Sequence, residues 1–168
     1  MKKSHGFTLI ELLIVLAIIV ILTTVVIPNF GPFVQQSRMD SIQNRLLASV
    51  SLARAEAIRQ DLQVTVCARS SSENMSNYTC GSDWSNGWAV VAGSTAVRIE
   101  KAPAAAISLS GSNITFKSSG LLSSGTDVCF SADDGYDDTP RRYLQVNQFG
   151  RVRAWDGALS DGVCGSGA

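Results

Sequence analysis

Histidine is almost missing from this 168-residue chain: the single one, His5, stands among the first six residues. The commonest general base of catalysis is therefore absent from everything that follows. Glycine-rich phosphate loops of the G-x-x-x-x-G-K-[ST] and G-x-G-x-x-G kinds are missing too, as is a G-x-S-x-G nucleophile turn. Neither an enzyme nor a cofactor is expected. Charge is sparse, at 17% of residues, and balanced at fourteen basic against fourteen acidic. That balance excludes a whole-chain basic field, so any nucleic-acid site must come from local clustering. A hydrophobic content of 45% excludes a disordered polyelectrolyte. The four cysteines form no C-x-x-C pair, which makes disulfides a better expectation than zinc. The acidic run Asp133-Asp134-Gly135-Tyr136-Asp137-Asp138 lacks the EF-hand spacing and reads as a solvated turn.

What is abundant is apolar sequence at one end. Phe7 to Ile27 carries a single ionisable residue, Glu11. A helix of that length rises roughly 30 Å, the thickness of bilayer hydrocarbon. Lys2 and Lys3 precede it, which keeps the N-terminus cytoplasmic and sends the rest across the inner membrane. A cleaved secretory signal fits less well, because the run is too long and no small-x-small site follows it. A carboxylate at this depth costs about 2.5–3.5 kcal/mol on insertion scales, so Glu11 needs a partner. A cut between Gly6 and Phe7 would create an amine on the same apolar element. Glu11 of a neighbouring copy could neutralise it.

Lys2-Lys3-Ser4-His5-Gly6-Phe7-Thr8-Leu9-Ile10-Glu11, with Pro28 later in the run, resembles the class III signal of type IV pilins and type II secretion pseudopilins. The resemblance implies that a prepilin peptidase cuts after Gly6 and that Phe7 is then methylated. It implies other pilins as partners through the N-terminal helix. It also implies storage in the inner membrane, with the head in the periplasm, before transfer to an extracellular pilus.

The expected organisation is a leader at 1–6, a hydrophobic transmembrane and assembly helix at 7–28, its amphipathic continuation at 29–61 and a globular β head at 62–168. Pro28 should kink or open the helix. Beyond it Met39, Ile42, Leu46, Val50, Ala53 and Ala57 recur at steps of three or four, one helical face that should pack on the head. Short strands are expected at Leu62–Val66, Trp88–Val91, Val97–Glu100, Ile114–Phe116, Val128–Phe130, Tyr143–Val146 and Val152–Trp155. The Ala-, Ser- and Gly-rich stretch 102–125 is expected to include a mobile loop. The fold class is thus α+β: a long N-terminal helix, its hydrophobic half protruding, packed on an antiparallel sheet.

Outside the cytosol an even cysteine count suggests disulfides, and four cysteines allow three connectivities. Cys67–Cys80 with Cys129–Cys164 is favoured, since each would close one loop and the second would tie down the C-terminal tail.

Removing residues 1–6 leaves twelve basic against fourteen acidic residues. Yet Thr139 to Trp155 holds Arg141, Arg142, Arg151 and Arg153 and no acid. Arg151 and Arg153 are two apart, so on a strand both face one side and Val152 faces the other. A turn at Asn147–Gly150 should make a hairpin that brings Arg141 or Arg142 near this pair. Guanidinium forks suit phosphate. The competing reading is a solvated basic strand neutralised by the acids at 133–138.

Ala53-Arg54-Ala55-Glu56-Ala57 and Phe149-Gly150-Arg151 resemble the GspH/FimT group of minor pilins. Gly150-Arg151-Val152-Arg153 matches the G-R-x-R signature of its FimT-type members. The resemblance implies binding of double-stranded DNA, through its phosphates and without sequence preference, during natural transformation. It assigns that role to Arg151 and Arg153, with Gly150 as the turn residue. Charge and expected proximity add Arg141, Arg142 and Lys117. The rival expectation is a structural minor pilin or secretion pseudopilin that primes filament assembly without DNA.

Overall fold

The computed structural model describes residues 7–26, 30–70, 74–103, 107–135 and 140–157. The chain divides into two compact units, 1–35 and 36–168.

In the first unit, helix α1 covers Leu9–Val26. Thr8 begins it: its Oγ1 accepts a hydrogen bond from the Glu11 amide (3.3 Å). Thr8-Leu9-Ile10-Glu11 is thus a capping-box sequence, and Glu11 lies in the first turn, where the helix dipole favours an anion. Glu11 therefore has a local role beside any role in assembly. The apolar side chains from Leu9 to Leu22 are exposed all round the helix, the pattern of a helix that belongs in lipid or among like helices. The eighteen residues of α1 rise about 27 Å, short of the roughly 30 Å hydrocarbon core. Among the described residues no helix is long and apolar enough to cross a membrane. Pro28, the expected kink, lies outside the described residues.

Helix α2 covers Phe30–Gln60. Its face of Met39, Ile42, Leu46, Val50, Ala53 and Ala57 is buried in the second unit, as the periodicity predicts. It ends at Asp61, whose φ of 53° is the left-handed conformation that stops a helix.

Among the described residues eight strands follow: β1 Val64–Ala68, β2 Gly87–Ala92, β3 Thr95–Lys101, β4 Ser108–Gly111, β5 Ile114–Phe116, β6 Val128–Asp133, β7 Arg142–Val146 and β8 Val152–Asp156. They form two four-stranded antiparallel sheets, ordered β3-β2-β1-β5 and β4-β6-β7-β8. The expected α+β class with antiparallel pairing holds, and the strands divide between two sheets where one was expected. A strand, β4, also lies in the stretch expected to be a mobile loop.

One apolar core joins the α2 face to both sheets, through Val66, Trp88, Val90 and Phe116 of the first and Leu109, Phe130, Leu144 and Val146 of the second. Trp84 meets Phe130 edge to face, with ring centroids 4.4 Å apart. A smaller cluster of Cys67, Tyr78, Ala89, Val91 and Ala96 lies on the other face of the first sheet. Cys67 and Cys80 are disulfide-bonded, their Cα atoms 5.7 Å apart. The second expected bridge, Cys129–Cys164, lies outside the described residues because Cys164 does.

Polar contacts fix α2 on the sheets where apolar packing alone would let it slide. Arg45 of α2 and Arg98 of β3 both bind the Glu100 carboxylate, at 2.6 and 2.5 Å. The Arg45 guanidinium also lies over the Trp88 ring, 5.1 Å from its centroid. The buried Trp88 Nε1–H donates to Ser49 Oγ (2.9 Å), so neither buried polar group is left unmatched. On the second sheet, Gln43 Nε2 donates to the backbone oxygens of Tyr143 (3.1 Å) and Trp155 (3.4 Å).

Candidate nucleic-acid interface

Asn147 builds the turn between β7 and β8. Its carbonyl accepts from the Gly150 amide (2.7 Å), and its amide donates to the Arg151 carbonyl (3.0 Å). Its side-chain Oδ1 accepts from both Phe149 N (3.1 Å) and Arg151 N (2.9 Å). Gly150 has φ 74°, and a Cβ there would lie 2.6 Å from the Gly120 carbonyl oxygen. A side chain would thus meet both a strained backbone and a backbone clash, which explains glycine at this position.

Beyond the turn, β8 pairs with β7 and, among the described residues, stands at the edge of the second sheet. Val152 packs against the core. Arg151 and Arg153 are exposed on the other side, as alternation requires. Among the described residues no carboxylate forms an ion pair with either. Asp127, the acid bound to this hairpin, is engaged by Gln145 Nε2 (2.7 Å) and the Gln148 amide (3.0 Å). Gln145 is the register partner of Arg153.

The other two arginines are placed differently. Arg142 stands opposite Asp156 at the far end of the hairpin. Its side chain is 1% exposed and forms ion pairs with Asp40 of α2 (2.8 Å) and Asp156 (3.4 Å). Arg142 is therefore removed from the expected phosphate-binding set: its guanidinium ties α2 to the sheet. Arg141 is exposed but paired with Asp133 at 2.7 Å. Tyr143, and after it Asp133, hold the Arg141 guanidinium above its ordinary pKa. Arg141 immediately precedes β7 and lies four residues before Gln145, about 14 Å at strand spacing. The hairpin thus does not bring Arg141 or Arg142 to the Arg151/Arg153 pair. Neutralisation by the acidic run holds for Arg141 through Asp133.

Lys117 is exposed at the start of a second turn, closed by the Gly120 amide donating to the Lys117 carbonyl (2.8 Å). This turn abuts the hairpin turn, since the Leu122 amide donates to the Gln148 carbonyl (3.1 Å). Between them sits a residue that the charge pattern did not single out. Arg54 of α2 donates from Nη1 to the Gly150 carbonyl (2.9 Å), and its guanidinium lies against both Gly120 and Gly150. The only signal for it was a cation inside the Ala53–Ala57 stretch, on a helix flank that packing makes a neighbour of the hairpin. The arrangement is a locked turn carrying two guanidinium groups that no carboxylate pairs with among the described residues, with Lys117 on the adjoining turn. It can hold polyanions; it offers no nucleophile–base pair.

A long N-terminal helix, an α2 face packed on antiparallel sheets and a capped apolar N-terminal segment define a pilin-like α+β protein. The family described as Type II transport protein GspH matches residues 43–150, and the prokaryotic N-terminal methylation motif matches residues 1–27. The chain belongs to the GspH family, and with that motif it is a pilin or pseudopilin, membrane-anchored and pilus-associated. The GspH match ends at Gly150, before the arginine pair.

Crystal structures of the type IV minor pilin FimU of Pseudomonas aeruginosa are similar in fold. In one crystal form the TM-score is 0.56 at 22% identity, over 74% of this chain and 92% of that one. In another it is 0.52 at 21% identity, over 69% and 91%. No curated protein matches the sequence.

Proposed function

We propose that this chain is a minor type IV pilin that holds extracellular double-stranded DNA through Arg151 and Arg153, for uptake in natural transformation. The observation that carries this reading is the exposure of both guanidinium groups on the outer side of an edge strand, with no ion-pairing acid among the described residues. Lys117 extends the positive surface and Arg54 positions the turn. Such contacts neutralise phosphate without reading bases, which gives sequence-independent and salt-sensitive affinity. In this reading the peptidase cuts after Gly6, Phe7 is methylated, and Glu11 pairs with the new amine of a neighbouring pilin. The apolar segment 7–28, longer than its described helix α1, crosses the inner membrane once before assembly. Retraction of the filament would then bring bound DNA to the cell.

The test uses the head from residue 36 onward, which contains the whole buried core. It should bind duplex DNA weakly at low salt, and R151Q/R153Q should abolish binding with the thermal melt unchanged. No binding by the wild-type head would favour a structural role, priming a pilus or secretion pseudopilus. That second reading draws support from the GspH match, which ends before the arginine pair.

A further inference from the structure

Phe149 stands at the tip of the hairpin with 58% of its surface exposed. A ring this open contributes little to the protein's own core. Its position is nonetheless well defined, since Asn147 Oδ1 binds the amides on both sides of Gly150 and Gly150 is seated on Gly120 and Arg54. Cations flank it: Arg151 two residues on, and Lys117 on the turn joined through Gln148. Exposed aromatic rings interleaved with cations are the composition of single-strand platforms, in which rings stack on bases while cations track the backbone. The positive surroundings favour such a polyanion over an apolar protein partner.

We infer that Phe149 is a base-stacking contact, and that this face takes single-stranded or frayed DNA in preference to intact duplex. The inference rests on the proposed DNA-binding reading: the arginine pair holds the phosphates of duplex DNA, and Phe149 adds affinity wherever its strands are open. Every base presents a π-face, so stacking adds affinity without adding sequence preference. A duplex keeps its bases stacked on each other and offers Phe149 only its ends. The rigid turn limits the ordering cost of the contact.

The experiment uses the full chain in nonionic detergent, with a thymidine oligonucleotide and a duplex of equal length as probes. The wild type should bind the single strand more tightly. Phe149→Ala should weaken that binding about tenfold and leave duplex binding and its salt dependence unchanged. Phe149→Trp should preserve the preference. Phe149→Leu, which keeps apolar bulk without a π-face, should behave as Phe149→Ala. Equal affinity of the wild type for both probes would overturn the inference. So would a leucine variant with wild-type affinity, or an alanine variant that loses both ligands equally. Failure of the underlying reading is separately visible: R151Q/R153Q would then leave binding to both probes intact, or the wild type would bind neither.

Discussion

Replacing Gly150 by alanine tests whether the hairpin turn is built as described. The left-handed backbone at φ 74° costs a non-glycine residue about 1–2 kcal/mol. The new Cβ would also come to 2.6 Å from the Gly120 carbonyl oxygen, so one turn must move. The bond most directly at risk is Leu122 N to Gln148 O at 3.1 Å, worth about 1 kcal/mol. Together these terms amount to about 2–3 kcal/mol. For a unit of this size that is roughly a 10 °C fall in melting temperature. Gly93 provides the control: its φ is also positive, at 59°, but nothing lies within 4 Å of a Cβ there. Gly93→Ala should bear only the backbone cost, about 1–2 kcal/mol and roughly 4–7 °C. The assay is thermal unfolding of the head followed by circular dichroism. Equal losses at the two glycines would refute the close approach of the two turns.

Three more perturbations address other links. Arg142→Met should cost less than the double change of Asp40 and Asp156 to asparagine. The carboxylates are half exposed, at 50% and 57%, and can be rehydrated, whereas the buried guanidinium cannot; denaturant titration reads the order, and the reverse order would contradict it. Burial raises the Glu100 pKa, but hydrogen bonds from Arg45 and Arg98 outweigh it and the net value is lowered from 4.5. A lowered carboxylate contributes stability above its unfolded pKa and loses it as pH falls through the folded one. The advantage of the wild type over Glu100→Gln should thus shrink from neutral pH into the acid range below 4.5, and a constant gap would contradict the pairing. Glu11→Gln retains a side-chain acceptor for the capping box but removes the charge. It should impair incorporation into filaments, as scored by immunoblot of sheared pili; normal incorporation would leave Glu11 with only its capping role.

The helix was legible because burial repeats along it: each apolar residue from Met39 to Ala57 at the three-four spacing is in the core. Strands β5 and β6 were legible for the same reason at period two, whereas β2 and β7 are buried at every position and read as short strand-like runs between turn clusters. Strand β4 was not, since Ser108-Leu109-Ser110-Gly111 has one apolar side chain and its burial is decided by pairing with β6. Division into two sheets depends on which strands pair, and local alternation is silent on that. At the site, adjacent residues Arg141 and Arg142 have the same charge but opposite fates. Arg142 faces α2 and meets Asp40, 102 residues away in sequence; such a partner leaves no local trace. The Arg151–Arg153 spacing was informative because strand alternation alone sets which way both residues face.

The most direct measurement is the affinity of the head for duplex DNA at about 50 and about 200 mM salt, for the wild type and R151Q/R153Q. With two or three phosphates neutralised, the wild type should lose about ten- to fortyfold across that interval. The double variant should show no measurable affinity at either concentration. A double variant that binds with the wild-type salt slope would contradict the claim that these two arginines form the DNA-binding surface.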